Sequence, residues 1–377
     1  MLPADARVID ADGHTFEPPG WQREWIDPAY RDRIAGDAGS RSLRMDGQAT
    51  SAHPPGALDA LRFSPATIAE RFGDLAADGF SAEAVVRAMD VEGIDVSVIY
   101  GPLYDCWIEG MDPQLACAIA RAYNRWLADY SARSGGRILG AAPIPLHDVD
   151  AAIAELRFAH DQLGFRAFWT RPNPVGGRNL GDPHFEPFYA ALEELGAPLS
   201  FHEGSGSMMR NIGSERFANA TWFEQHACVH PMEQQMTLAS LIVQGVLERH
   251  PTLKIALMEC GAAWAPSWLH RLDEHQELVG WHDAPKLSLR PSEYFKRQCY
   301  VSAEPDEELL YHVIEVLGDG NVLFATDFPH PDAKYPNAVE GFLELPRVTM
   351  DEKRRIMWDN ALAFYGFDPA KLPRRAA

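Results

Sequence analysis

The chain has 377 residues, 46% apolar and 10% aromatic, enough to bury one large core. A formal charge of −20 argues against nucleic acid and membrane surfaces as partners, and leaves a small molecule bound in a locally basic pocket as the expected partner. Five scattered cysteines without a CxxC pair, no apolar run long enough for a membrane span and no leader-like start predict a cytoplasmic protein with reduced thiols.

The first strand-like run, Val8-Ile9, leads into Asp10-Ala11-Asp12-Gly13-His14. On an extended backbone Asp12 and His14 project to one face, where a carboxylate and an imidazole can share a metal ion. Residues 16–67 break the rhythm: rich in Pro, Gly, Arg, Ser and Asp, they read as a cap or a subunit-contact insertion, the expected basis of a homodimer or higher oligomer, with disorder over part of 36–55 equally open. Strand candidates then recur at Val96–Tyr100, Ile138–Ile144, Gly164–Trp169, Ala197–His202, Leu253–Cys260, Gln298–Ala303 and Asn321–Asp327. Amphipathic helices are predicted over Asp148–Leu163, Phe185–Leu195, Met232–Glu248 and Glu307–Leu317, with Gly164, Gly196 and Gly318 placed to cap three of them. Eight strands alternating with helices fit a (β/α)8 TIM barrel, α/β in class, with a long insertion after strand 1 and a single domain over residues 1–377. A doubly wound open sheet would need a glycine-rich phosphate loop after its first strand, and DADGHTFEPPG is not one.

A barrel gathers its chemistry where strands end. Strand 1 ends in Asp12 and His14, strand 2 in Tyr100, strand 4 in Trp169 and Arg171, strand 5 in His202 and Glu203, strand 6 in Glu259 and Cys260, and strand 8 in Asp327 and His330. Strands 1, 5, 6 and 8 thus all end in potential metal ligands. Asp327 reads as a carboxylate that binds the metal, takes a proton from bound water, or does both. Arg171 is the candidate grip for a substrate carboxylate, with an ordinary salt bridge as the other reading. Tyr100, Tyr104, Trp107 and Trp169 suggest an aromatic substrate pocket, and His330 either bonds substrate or orients Asp327.

The segments IDADGHTFEP, PLSFHEG, the run Pro231–Asp273 and NVLFATDFPHPD occur in an order and spacing that resembles the amidohydrolase-related family, the branch containing aminocarboxymuconate-semialdehyde decarboxylase and benzoate-type decarboxylases. The resemblance implies a (β/α)8 barrel with one divalent metal, zinc or manganese, held by Asp12, His14, His202 and Asp327. It also implies a metal-dependent enzyme that decarboxylates or hydrolyses a small carboxylated cyclic or aromatic substrate. The chain departs from the family in two places. Asp12-Gly13-His14 stands where His-x-His is common, and Met258-Glu259-Cys260-Gly261-Ala262 stands where decarboxylase relatives place a catalytic histidine. Glu259 then either replaces that histidine as general base, becomes a further metal ligand, or is a rim carboxylate held by an arginine. His230, fixed beside Pro231, is the candidate for the missing imidazole, ahead of His226. The surplus of donors keeps a two-ion site open, and with it a non-haem di-iron oxygenase as an alternative. A catalytically inactive binding barrel is the third reading.

Overall fold

The computed structural model describes residues 6–36, 44–50, 64–101, 105–204, 208–212, 216–217, 221–284 and 286–375. Eight strands form one parallel sheet in chain order: β1 (Ile9–Gly13), β2 (Val96–Ile99), β3 (Ile138–Pro143), β4 (Ala167–Thr170), β5 (Leu199–His202), β6 (Ile255–Met258), β7 (Cys299–Ala303) and β8 (Val322–Phe324). Helices follow them in turn: α1 (Ala82–Glu92), α2 (Pro113–Ala132), α3 (Val149–Asp161), α4 (Glu186–Leu195), α5 (Trp222–Val243), α6 (Ala265–Asp283), α7 (Leu310–Leu317) and α8 (Asn360–Tyr365), with shorter helices between some of them. The strands read as continuous apolar runs because a parallel barrel strand is covered by helices outside and by packed side chains inside. Every residue of β2, β4, β5, β6 and β8 is buried.

Strands β1 and β8 meet through side chains and loop backbone. Asp327 N–H donates to Asp12 O at 2.9 Å, and His14 N–H to Phe328 O at 2.7 Å. Below them the buried Asp10 carboxylate accepts from Thr326 N–H and Thr326 Oγ1, both at 2.9 Å, and from Ser97 Oγ at 2.9 Å. One side chain thereby clasps β1, β2 and the end of β8 immediately under the barrel mouth.

Within the insertion after β1, Trp21–Trp25 forms a short helix whose Trp21 ring packs against Tyr123 and, farther off, Trp126 of α2. Ile34–Ala35, Arg44–Met45 and Gln48–Ala49 make a small antiparallel sheet. Its tight turn is Asp46-Gly47, both at positive φ (51° and 78°), the conformation a two-residue hairpin requires. The parts of the expected insertion at 37–43 and 51–63 lie outside the described residues. Beyond them a helix over Pro65–Phe72 carries Arg71, whose guanidinium donates to the carbonyls of His330, Pro331 and Ala333. The end of the insertion is therefore tied to the loop after β8.

α7 begins at Leu310 rather than Glu307, and another helix departs further from expectation. Instead of Met232–Glu248, α5 begins at Trp222, nucleated by a capping box between Thr221 and Glu224, and ends at Val243. It carries Pro231 in its interior, so the proline does not mark its start. Gly245, at φ 76°, caps a separate turn over Val246–Arg249. All five cysteines are free thiols, and among the described residues no helix is long and apolar enough to cross a membrane.

Candidate metal centre

Three of the expected donors, Asp12, His14 and His202, come within 4.8 Å of one another at the mouth, and Asp327 adjoins them through His14, in a group with His330. His202 Nε2 lies 3.2 Å from Asp12 Oδ1, and His14 Nε2 lies 3.5 Å from Asp12 Oδ1 and 3.1 Å from Asp327 Oδ1. Donor atoms about 2.1 Å from a common ion, at tetrahedral or octahedral angles, stand ~3.0–3.4 Å apart. The spacing is close to what one ion imposes.

The hydrogen-bond inventory points the same way. His14 Nδ1 faces Tyr100 O at 3.2 Å, and His202 Nδ1 faces Glu203 O at 2.8 Å. A carbonyl only accepts, so each Nδ1 carries the proton and each Nε2 of a neutral ring presents a lone pair. Burial, then the neighbouring His330, lowers the His14 pKa; burial, then Arg171, takes His202 down to about 3. The rings are therefore neutral, and their lone pairs face carboxylate oxygens that are also acceptors. His14 Nε2 is buried without a hydrogen-bond partner. Several acceptors converging in a buried place call for a cation, and two imidazoles with two carboxylates fit a divalent metal ion.

The carboxylates differ in protonation. Burial, with the opposing pull of His14, leaves Asp12 pushed up to about 7. Burial would raise Asp327 too, but His330 and His14 outweigh it and hold Asp327 well below the carboxylate range. His330 Nδ1 lies 2.7 Å from Asp327 Oδ1, and against the effect of burial this carboxylate raises His330 to about 9. His330 also stacks on His14, ring centroids 4.1 Å apart. It thus sits against both Asp327 and His14.

Glu259 and Asp327 each follow a strand, and both are non-glycine residues at positive φ, 52° and 54°. That backbone costs about 1–3 kcal/mol and persists only where surrounding structure holds it. At Glu259 the hold comes from Ser302 Oγ, which accepts its N–H at 3.0 Å, and from His230 Nδ1, 3.0 Å from its carbonyl. Glu307 fixes the rest of the turn by accepting the N–H groups of Ala262 and Ala263 at 2.7 and 2.6 Å. Burial, then Asp327 and Asp12, pushes the Glu259 carboxyl well above its usual range.

The other expected site residues lie one layer back. The Arg171 guanidinium is wholly buried, 3.0 Å from Glu203 Oε1, while Asn173 donates to Glu203 Oε2 at 2.5 Å. Tyr100 stacks on His202 and its hydroxyl bonds Ser200 and Tyr365 in the barrel interior. Trp169 packs edge-on to His202 and against Trp107, and is itself fully buried. Tyr104 lies outside the described residues. Sequence reasoning did not find the Asp10 clasp, although Asp10 shares a face with Asp12 by the same two-residue period. It also passed over Glu307, whose partners are backbone amides and leave no sequence trace.

Comparison with known proteins agrees with this architecture. Over 309 residues, 80% of each chain, the protein is 26% identical to the 2-amino-3-carboxymuconate-6-semialdehyde decarboxylase of Dictyostelium discoideum. Its fold resembles that of an amidohydrolase from Mycobacterium avium subsp. paratuberculosis (TM-score 0.78, 24% identity, 98% of this chain and 100% of that one). It also resembles a 5-carboxyvanillate decarboxylase from Novosphingobium aromaticivorans complexed with manganese and 4-hydroxy-3-methoxy-5-nitrobenzoic acid (TM-score 0.70, 20% identity, 96% and 97%). Residues 9–367 match the amidohydrolase family, and the chain belongs to it.

Proposed function

We propose that the protein is a metal-dependent carboxy-lyase that removes carbon dioxide from a small cyclic or aromatic carboxylate. The observation that carries this reading is the run of contacts from His202 through Asp12 and His14 to Asp327, each 3.1–3.5 Å long with acceptor facing acceptor. The decarboxylases among its relatives give the reaction class. Manganese or zinc suits the mixed donor set, and the chemistry a bound ion supplies here is polarisation of a substrate oxygen.

The chain's own residues do the rest. Decarboxylation leaves the electron pair of the broken C–C bond on the carbon that carried the carboxylate, and that carbon must receive a proton. Asp327 is the proton carrier: its carboxylate lies at the mouth, and His330, 2.7 Å away, stores the proton that replenishes it. Arg171 acts as a positioning residue through Glu203, whose carbonyl sets the tautomer of His202. Tyr100 and Trp169 box the same imidazole and fix its plane.

The test is a panel of hydroxylated aromatic carboxylates incubated with manganese-loaded protein, following loss of substrate and release of carbon dioxide. Asp327→Asn should lower kcat by about 100-fold or more, the usual contribution of a positioned acid. An inactive wild-type protein across the panel, or an Asp327→Asn variant at full rate, contradicts the assignment.

A further inference from the structure

Once the four donors above are set aside, His330 stays with Asp327 and His14, and a separate group of potential metal ligands is left among the described residues. His226 and His230 stand one helical turn apart on α5, their ring centroids 4.3 Å apart, and Glu259 faces them from the end of β6. Their potential ligand atoms all lie within 4.8 Å of one another. The set is distinct from the first in residues and in position. Glu259 Oε2 is 3.4 Å from Nδ1 of His202, whereas Nε2 of that ring faces Asp12. The two donor groups therefore occupy opposite edges of one imidazole.

The state of the Glu259 carboxylate is the second, independent observation. Oε2 is buried and has no hydrogen-bond partner. The ring nitrogens nearest the carboxylate, Nδ1 of His202 and Nδ1 of His230, are each directed at a carbonyl, Glu203 O and Glu259 O. Arg171, wholly buried nearby, is engaged with Glu203. A buried carboxylate oxygen without a donor is costly, and here the backbone that aims it is itself in a strained region at φ 52°. For His230, the contact of Nδ1 with a carbonyl sets the tautomer whose Nε2 lone pair suits a metal. Trp222 stacks on the far side of His226, centroids 4.2 Å apart, and limits where that ring can turn.

We propose that His226, His230 and Glu259 form a second divalent-cation site beside the first, suited to a first-row transition ion. Two imidazoles and one carboxylate are the donor set that iron(II), manganese, cobalt and zinc share, and three protein donors leave positions open for water or a substrate oxygen. A second cation would also give Glu259 Oε2 a partner. The proposal is independent of whether the reaction is a decarboxylation.

The test uses the full chain, stripped with a chelator and reloaded with manganese(II) alone, read by elemental analysis and by the spin coupling of paired manganese ions in electron paramagnetic resonance. Wild type should hold two equivalents per chain with a coupled spectrum. Glu259→Gln and His226→Ala should each hold one equivalent with an uncoupled spectrum, and His14→Ala should weaken only the other ion. His226 is half-buried on a helix, so its variant guards against a folding defect in Glu259→Gln. Saturation of wild type at one equivalent, or two equivalents retained in both variants, overturns the second site. Two equivalents without decarboxylation would overturn the proposed reaction and leave the second site standing.

Discussion

Gly13 separates the two strand-1 donors, and a methyl group does not fit there. A Cβ at this position would stand 2.5 Å from Ser97 Oγ, 2.9 Å from Asp10 Oδ2 and 3.3 Å from the Ile99 Cδ1 methyl. Its backbone is outside the left-handed region, so a substitution tests space alone. Neither polar atom can retreat freely, because Ser97 Oγ donates to Asp10 Oδ2 at 2.9 Å and the same oxygen accepts from Thr326 Oγ1 at 2.9 Å. Gly13→Ala therefore combines overpacking, about 1–3 kcal/mol, with loss of a hydrogen bond to a buried carboxylate, about 1.5–3 kcal/mol. A total near 3–5 kcal/mol is expected, roughly the sum of the two. Ser97→Ala loses the same bond but clears the worst contact. The double variant should thus be less destabilised than the sum of the singles, by about 1.5–3 kcal/mol, the bond counted twice. Urea unfolding followed by tryptophan fluorescence and circular dichroism measures all three. A Gly13→Ala protein as stable as wild type, or strict additivity in the double variant, would refute the packing explanation.

The Arg171–Glu203 pair should behave as a buried ion pair. Arg171→Met alone leaves the Glu203 carboxylate stranded and destabilises by about 3–5 kcal/mol, whereas Arg171→Met with Glu203→Leu destabilises less; equal effects in urea unfolding would contradict this. Burial pushes the Asp105 carboxyl from 3.8 up to about 6, although Gln22 donates to it at 2.7 Å. Between those two values the folded chain holds a proton that the unfolded chain has released, so raising the pH across the interval favours unfolding. Asp105→Asn should flatten that part of the stability–pH curve and gain on wild type at higher pH. A slope unchanged in the variant would show that Asp105 is not its source.

Much of the barrel was readable because its strands are covered on both sides: apolar runs ending abruptly in Asp, His or Glu mark both the strand and the mouth. Asp12, His14, His202 and Asp327 each stand at such a boundary between an apolar run and a polar loop. The sequence places His226 and His230 ahead of a helix starting at Met232. In the structure α5 runs through Pro231, and that continuity puts His226 and His230 on one face. The hairpin at Asp46-Gly47 carried a visible Asp-Gly signal within a stretch whose composition reads as loop. Arg171 shows the limit of residue type as a guide: a guanidinium at a strand end suits a substrate carboxylate and an internal one equally, and its partner Glu203 lies 32 residues away in sequence.

Anomalous diffraction from crystals of manganese-loaded protein tests most directly whether the strand ends form a metal centre. The structure predicts one strong peak about 2.0–2.2 Å from Asp12 Oδ1, His14 Nε2, His202 Nε2 and Asp327 Oδ1, and a second at His226, His230 and Glu259. Crystals in which those four side chains diverge and no anomalous density lies between them would contradict it.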